Sequence, residues 1–240
     1  MPRPMSEPLR LHYLAPGELP LEALEAVAAR VLCDEEKARA ARFVFSRDRV
    51  LFMAAHVLVR QLLSERTGQA AAQLRFEVGP HGKPELSQPG RTPALRFNLS
   101  HCDGLVACAV LDGHPVGVDV EHLDRRVAVE SLAPRVLSGR ELQGLEALGG
   151  EARRRRFLQL WTAKEAYVKA LGDGLTLELR DLTVELDAAS PAIVHAGADS
   201  ATGPCQLSLW EPTPEHVMAA VVCAPEAPVV EMMPATIDAQ

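Results

Sequence analysis

The 240-residue sequence has five cysteines, an odd number, and none stands in C-x-x-C spacing. Cys33, Cys102, Cys108, Cys205 and Cys223 are scattered along the chain. That pattern indicates neither a disulfide framework nor a zinc site, and they read as buried small residues in a reducing compartment. Positive charge is also short: 25 Lys and Arg against 32 Asp and Glu leave a net charge of −7. Affinity for a nucleic-acid backbone needs a basic surface, so no nucleic-acid partner is expected and any anionic ligand must be met by local clusters. No uncharged apolar run approaches the ~20 residues that span a bilayer. Met1-Pro2-Arg3-Pro4 leads into no apolar core of signal-peptide length. No membrane association is expected, and the chain is expected to stay in the cytoplasm.

What is present is a globular composition, 48% hydrophobic and 24% charged, over a length that allows one large domain or two half-sized ones. Apolar residues at helical spacing predict helices over Leu21 to Leu32 and over Asp34 to Thr67, the second stopping at Gly68. A Gly- and Pro-rich stretch from Gly79 to Pro93, including His81-Gly82-Lys83-Pro84, reads as loop. Leu95, Phe97 and Leu99 then alternate with Arg96, Asn98 and Ser100, a strand with its polar residues on one face. Leu105 to Leu111 and Val116 to Glu121 flank the turn Asp112-Gly113-His114-Pro115, as a hairpin or a crossover. Ser138-Gly139-Arg140-Glu141 has capping-box spacing and opens a helix ending at Gly149-Gly150. Glu151 to Leu171 is a second long helix, closed by Gly172 and Gly174. Strands are expected over Leu182 to Leu186, Gln206 to Trp210 and Val217 to Cys223, followed by a loose tail from Pro225. Long helices followed by a strand pair thus occur twice. The expected fold is α+β, two similar halves, 1–112 and 113–240, with the site in the cleft between them.

Gly117-Val118-Asp119-Val120-Glu121 carries the first chemistry. In a strand Asp119 and Glu121 share a face, about 6 to 7 Å apart, while the valines face the core. Two such carboxylates suit a hard divalent cation, although a bare D-x-E is more often an ordinary solvent-facing edge. The long helix carries Trp161-Thr162-Ala163-Lys164-Glu165-Ala166-Tyr167-Val168-Lys169. Lys164 falls in the middle of the apolar stripe defined by Phe157, Leu160, Trp161, Val168 and Leu171, so it must meet a carboxylate or several carbonyls. Glu165 and Lys169 border that stripe, four residues apart. They are either a surface pair or a carboxylate and a phosphate-binding ammonium facing a cleft. In Phe97-Asn98-Leu99-Ser100-His101, a histidine closing a polar strand face suits either a structural hydrogen bond or an anion contact. Lys83 between Gly82 and Pro84 is by itself a solvated tip. Arg153 to Arg156 oppose the dipole of the helix they begin, an arrangement that makes more sense beside an acidic partner.

Taken in order, Gly82-Lys83-Pro84, Phe97-Asn98-Leu99-Ser100-His101, Gly117-Val118-Asp119-Val120-Glu121 and Trp161-x-x-Lys164-Glu165-Ala166-x-x-Lys169 resemble the successive motifs of the phosphopantetheinyl transferase superfamily. Arg42-Phe43-Val44-Phe45 is similar to its N-terminal phosphate-binding helix. Order and spacing agree across residues 36 to 186, and the layout is similar to the stand-alone surfactin type, a monomeric pseudo-dimer. The resemblance implies that Asp119, Glu121 and Glu165 hold Mg²⁺, or Mn²⁺ in its place, against the diphosphate of coenzyme A. It implies that Glu165 deprotonates a serine of an acyl or peptidyl carrier protein, directly or through a bound water, and that Lys169 stabilises the departing phosphate. Arg42, Lys83, Ser100, His101 and Lys169 would hold coenzyme A, and the products would be the holo carrier and 3′,5′-ADP. Where the family has serine after the Ser-His pair, this chain has Cys102. Arg153 to Arg156 would steer the carrier. Two rivals stay open: a Mg²⁺-dependent diphosphate hydrolase acting on coenzyme A or a nucleotide, and a non-catalytic binding module.

Overall fold

The structure, a computed structural model, describes residues 8–79, 82–172, 178–186, 190–195, 203–226 and 228–237. His81 and the expected helix stop Gly174 lie outside them. The first half runs β1 (Leu9–Leu14), α1 (Leu21–Val31), α2 (Asp34–Ala40), α3 (Ser46–Thr67), β2 (Phe76–Val78), β3 (Pro84–Leu86), β4 (Leu95–Cys102) and β5 (Leu105–Asp112). The second runs β6 (Val116–His122), α4 (Val129–Val136), α5 (Gly139–Glu146), α6 (Gly150–Leu171), β7 (Leu182–Glu185), β8 (Ala192–His195), β9 (Cys205–Thr213) and β10 (His216–Cys223), and β11 (Val230–Pro234) follows.

The two halves share one sheet topology. β1 pairs antiparallel with β5, and β5 with β4; β6 pairs antiparallel with β10, and β10 with β9. In each half the first strand thus lies beside the last, with a two-stranded pair, β2–β3 or β7–β8, between helices and closing strands. β5 and β6 are not partners, so the turn between them is a crossover from one sheet to the other.

Period-2 geometry explains why β5 and β10 are apolar at almost every position. Val106, Cys108 and Val110 of β5 pack with Leu58, Leu62 and Phe52 of α3, while Leu105, Ala107 and Ala109 turn the other way. Val217, Ala219 and Val221 of β10 pack with Phe157, Leu158 and Tyr167 of α6, while Met218, Ala220 and Val222 meet Leu105, Ala107, Ala109 and Val116, Val118 and Val120. The sheets therefore face each other across a shared apolar layer, with helices on the outer side of each. This is the expected α+β class.

Several local expectations change. The helix foreseen from Asp34 to Thr67 breaks at residues 41–45, because α2 folds back so that Glu36 reaches buried Arg60 of α3 at 2.6 Å. In one straight helix those residues, 24 apart, would be ~36 Å from each other. The α5 helix stops at Glu146, before the expected Gly149-Gly150. The apolar stripe on α6 is broader than one face: Leu158, Ala163, Ala166, Tyr167 and Ala170 are buried, whereas Trp161, Val168 and Leu171 are only half-buried. The helix packs against β6 and β10 on one side and α4, α5 and β7 on the other. The tail is not wholly loose, since β11 adds to β1 in parallel, Leu9 facing Val230. The cysteines are not all free either: Cys205 and Cys223, directly opposite on β9 and β10, form a disulfide, while Cys33, Cys102 and Cys108 remain thiols. Alternation along a strand pair brings opposite cysteines together whatever their sequence spacing. Among the described residues no helix is long and apolar enough to cross a membrane.

Candidate active site

The site lies on the seam where β4, the edge of the first sheet, meets β6, the edge of the second. Asn98 and Ser100 point to this seam and are buried, whereas Arg96, on the same face, is exposed. Asn98 Oδ1 accepts the amide of Val118 at 2.7 Å, and Ser100 Oγ donates to Asp119 Oδ1 at 3.0 Å. The polar face read from alternation is thus the junction of the two halves.

Asp119 and Glu121 share the face of β6 turned towards α6, as their spacing predicts. The approach of strand to helix is set by small residues: a Cβ on Gly117 would lie 2.0 Å from the Ala166 carbonyl oxygen and 2.3 Å from the Ala170 nitrogen. Only glycine fits there. The close contact lets Lys169, on α6, reach Asp119 Oδ1 at 2.6 Å and donate to Ser100 Oγ at 3.0 Å. One aspartate, one serine and one lysine from three elements thus form a closed polar triangle.

Asp119 is 6% exposed, and its second oxygen, Oδ2, is buried with no hydrogen-bond partner among the described residues. Burial raises its pKa, opposed by the Lys169 ammonium and the hydrogen bonds from Lys169 and Ser100. Glu121 and Glu165 are raised by desolvation first and by the negative charge of Asp119 second. Asp119 is therefore close enough to repel both glutamates. Among the described residues the three acids do not close into a ready-made metal cage, and Asp119 and Glu121 are each paired with a cation of the chain. Arg125 pairs with Glu121, whose Oε1 also accepts from Trp161 Nε1 at 3.1 Å. An orphaned, buried carboxylate oxygen with two further carboxylates in electrostatic reach is a donor set that fits a hard divalent cation.

The other expected residues divide. Lys83 does not point into solvent: its Nζ donates to the Lys169 carbonyl at 2.6 Å and to the Val116 carbonyl at 3.2 Å. Burial foremost, then Arg96, lowers its pKa to about 8. Lys83 lines a cavity of about 310 Å³ with Pro84, Arg96, Gly113, Ala170 and Gly172. His101 projects from the face of β4 opposite Ser100; desolvation and then the Lys169 charge hold its pKa below the ordinary histidine value. Cys102 is near the acids, and desolvation, then Glu121 and Asp119, push its thiol up to about 12, so it stays protonated. Arg42 stands exposed in the turn between α2 and α3, outside this network. Lys164 is 1% exposed and meets the partners it requires: Glu141 at 2.6 Å and the carbonyls of Val136, Leu179 and Leu182.

Arg125 and Trp161 were not foreseen as partners of Glu121. Trp161 carries a readable signal, since it precedes Glu165 by one helical turn; Arg125 carries none, because four-residue spacing pairs side chains on a helix and Glu121 lies in a strand. The arginine run is partly neutralised within the chain: Arg154 pairs with Asp124 at 2.9 Å and Arg155 with Glu211.

The seam thus sets three carboxylates, one of them with an oxygen that has no partner among the described residues, near an ammonium. A family model described as the 4′-phosphopantetheinyl transferase superfamily matches residues 115–221, and one described as 4′-phosphopantetheinyl transferase, N-terminal, matches residues 20–112. The chain is 37% identical over 177 residues to the 4′-phosphopantetheinyl transferase HetI of Nostoc sp., covering 74% of each chain. It is 32% identical to the 4′-phosphopantetheinyl transferase psf-1 of Bacillus pumilus, covering 80% of this chain and 79% of that one. A solved holo-(acyl-carrier-protein) synthase from Bacillus anthracis aligns with 45% of this chain and 93% of its own, at 26% identity and a TM-score of 0.40. The chain belongs to the 4′-phosphopantetheinyl transferase superfamily and is an enzyme of that class. Nothing in the comparisons favours the hydrolase alternative.

Proposed function

We propose that this enzyme transfers the 4′-phosphopantetheine group of coenzyme A to a serine of an apo acyl or peptidyl carrier protein and releases 3′,5′-ADP. The observation that carries the reading is the triangle of Asp119, Ser100 and Lys169 on the seam, with Asp119 Oδ2 buried and unpartnered among the described residues. Asp119, Glu121 and Glu165 would hold Mg²⁺, or Mn²⁺ in its place. When bound, the ion supplies neutralisation of charge on the non-bridging diphosphate oxygens.

The chain's own groups do the rest. The carrier serine Oγ forms a bond to the phosphorus that bears the pantetheine, and the bond from that phosphorus to the bridging oxygen breaks, leaving its electron pair on 3′,5′-ADP. Glu165, with its pKa raised by desolvation, is suited to take the serine proton. Lys169, already an ammonium donor on the seam, is placed to share charge with the departing phosphate. Lys83, Ser100, His101 and Arg42 are assigned to coenzyme A, Lys83 through its hold on the end of α6. The two halves, 1–112 and 113–240, both contribute, so one chain suffices and the working form is a cytoplasmic monomer.

The test is incubation with coenzyme A, Mg²⁺ and a panel of apo carrier proteins, read by intact mass. A gain of one phosphopantetheine arm on a carrier serine, with equimolar 3′,5′-ADP, is the expected result. Release of 3′,5′-ADP at the same rate without any carrier would contradict transfer.

A further inference from the structure

One buried histidine lies at the end of the seam, outside the network above. His216, the first residue of β10, is 4% exposed, stands opposite His122 on β6 and precedes Val217, which faces Glu121. Its Nε2 lies 2.7 Å from the carbonyl oxygen of Asp103, in the turn between β4 and β5. A carbonyl only accepts, so Nε2 carries the proton and donates. Nδ1 lies 2.7 Å from the Thr213 hydroxyl, which is its donor in that tautomer, and the Glu215 amide donates in turn to that hydroxyl at 3.2 Å. Both ring nitrogens are satisfied, and the bond to Asp103 joins the second half of the chain to the first.

Two further features build this contact. Gly104 follows Asp103 with φ at +82°, and a Cβ there would meet His216 Cε1 and Nε2 at 3.2 Å. The turn is shaped to admit the ring. Between His216 and Met218 the β9–β10 ladder slips register, a bulge that re-aims strand ends. Asn98 to Val118 and Ser100 to Asp119 tie β4 to β6, and beyond them His216 of β10 ties the β4–β5 turn at Asp103.

We propose that His216 is a positioning residue for the transfer reaction, holding the β4–β5 turn, and with it Ser100, in register with the carboxylates of β6. It touches no reacting atom. Its work is to keep the end of β4 from drifting away from Asp119 and Glu121. This rests on the activity proposed above.

The experiment compares the full-length wild type with His216→Ala, His216→Gln and Gly104→Ala, well below each variant's Tm. Glutamine returns an N–H donor near the place of Nε2; alanine does not. The first readout is amide hydrogen exchange over residues 102–105, and the second is kcat and KM for coenzyme A with an apo carrier and Mg²⁺. His216→Ala is expected to speed exchange of the turn and to lower kcat/KM by about tenfold or more, as small misplacements do. Gly104→Ala should do the same, and His216→Gln should recover most of both. Unchanged exchange in His216→Ala, kinetics within twofold of wild type, or a glutamine variant no better than alanine would overturn the proposal. Should His216→Ala fail to fold, Thr213→Val, which removes only the hydroxyl fixing the ring, is read the same way. If the wild type modifies no carrier, the activity reading fails, while the exchange comparison still decides whether His216 holds the turn.

Discussion

Asp119 has two oxygens with different surroundings: one shared by Lys169 and Ser100, the other buried without a partner among the described residues. Lys169→Met removes the only ammonium in the triangle, so we expect kcat to fall about 100- to 1,000-fold, the usual cost of a lost charge-stabilising donor. Lys169→Arg should not restore it, because a planar fork replaces a compact ammonium. Steady-state transfer to an apo carrier checks both. Lys164 and Glu141 make the contrasting case, an ion pair with no substrate to meet. Removing one partner strands the other, and either Lys164→Met or Glu141→Leu should cost about 3–5 kcal/mol in urea denaturation. The double variant should lose less than the sum. Lys164 was legible from sequence because a charge centred on an apolar helix face has few options. Its partner was not, since Glu141 reads as a capping residue and is one, accepting from the Ser138 amide while also binding Lys164.

At the scale of elements, the site depends on β6 lying against α6 without an intervening side chain. Gly117→Ala must push them apart, since its Cβ would overlap backbone atoms of Ala166 and Ala170. We expect a loss of about 1–3 kcal/mol from overpacking, read as a lower Tm, together with loss of transfer as Lys169 draws away from Asp119. The period of β4 and the D-x-E strand were readable because alternation fixes which side chains share a face. The break between α2 and α3 was not, because residues 41–45 contain neither glycine nor proline and the cause is the distant Glu36–Arg60 pair. The pairing of β11 with β1 and of Cys205 with Cys223 was invisible for the same reason: strand neighbours are set by topology, which local pattern does not carry.

For the whole molecule, the two α/β layers meet on one apolar interface and one polar seam, and Lys83 ties them at its other end through the Lys169 and Val116 carbonyls. Its pKa falls from 10.5 unfolded to about 8 folded, chiefly by desolvation. Folding therefore disfavours the charged form: stability from this group is full above pH 10.5, declines as pH falls through that window and is flat below about pH 8. Wild-type stability should rise from pH 8 to 10 relative to Lys83→Met in denaturant melts, and parallel curves would show that Lys83 is not desolvated. In the proposed mechanism, acids from β6 and α6 serve one divalent ion. Titrating the protein with Mn²⁺ in the presence of coenzyme A, with free Mn²⁺ followed by its electron paramagnetic resonance signal, decides whether they do. One site per chain, much weakened in each of Asp119→Ala, Glu121→Ala and Glu165→Ala, is the predicted result; binding that survives all three substitutions unchanged would contradict it.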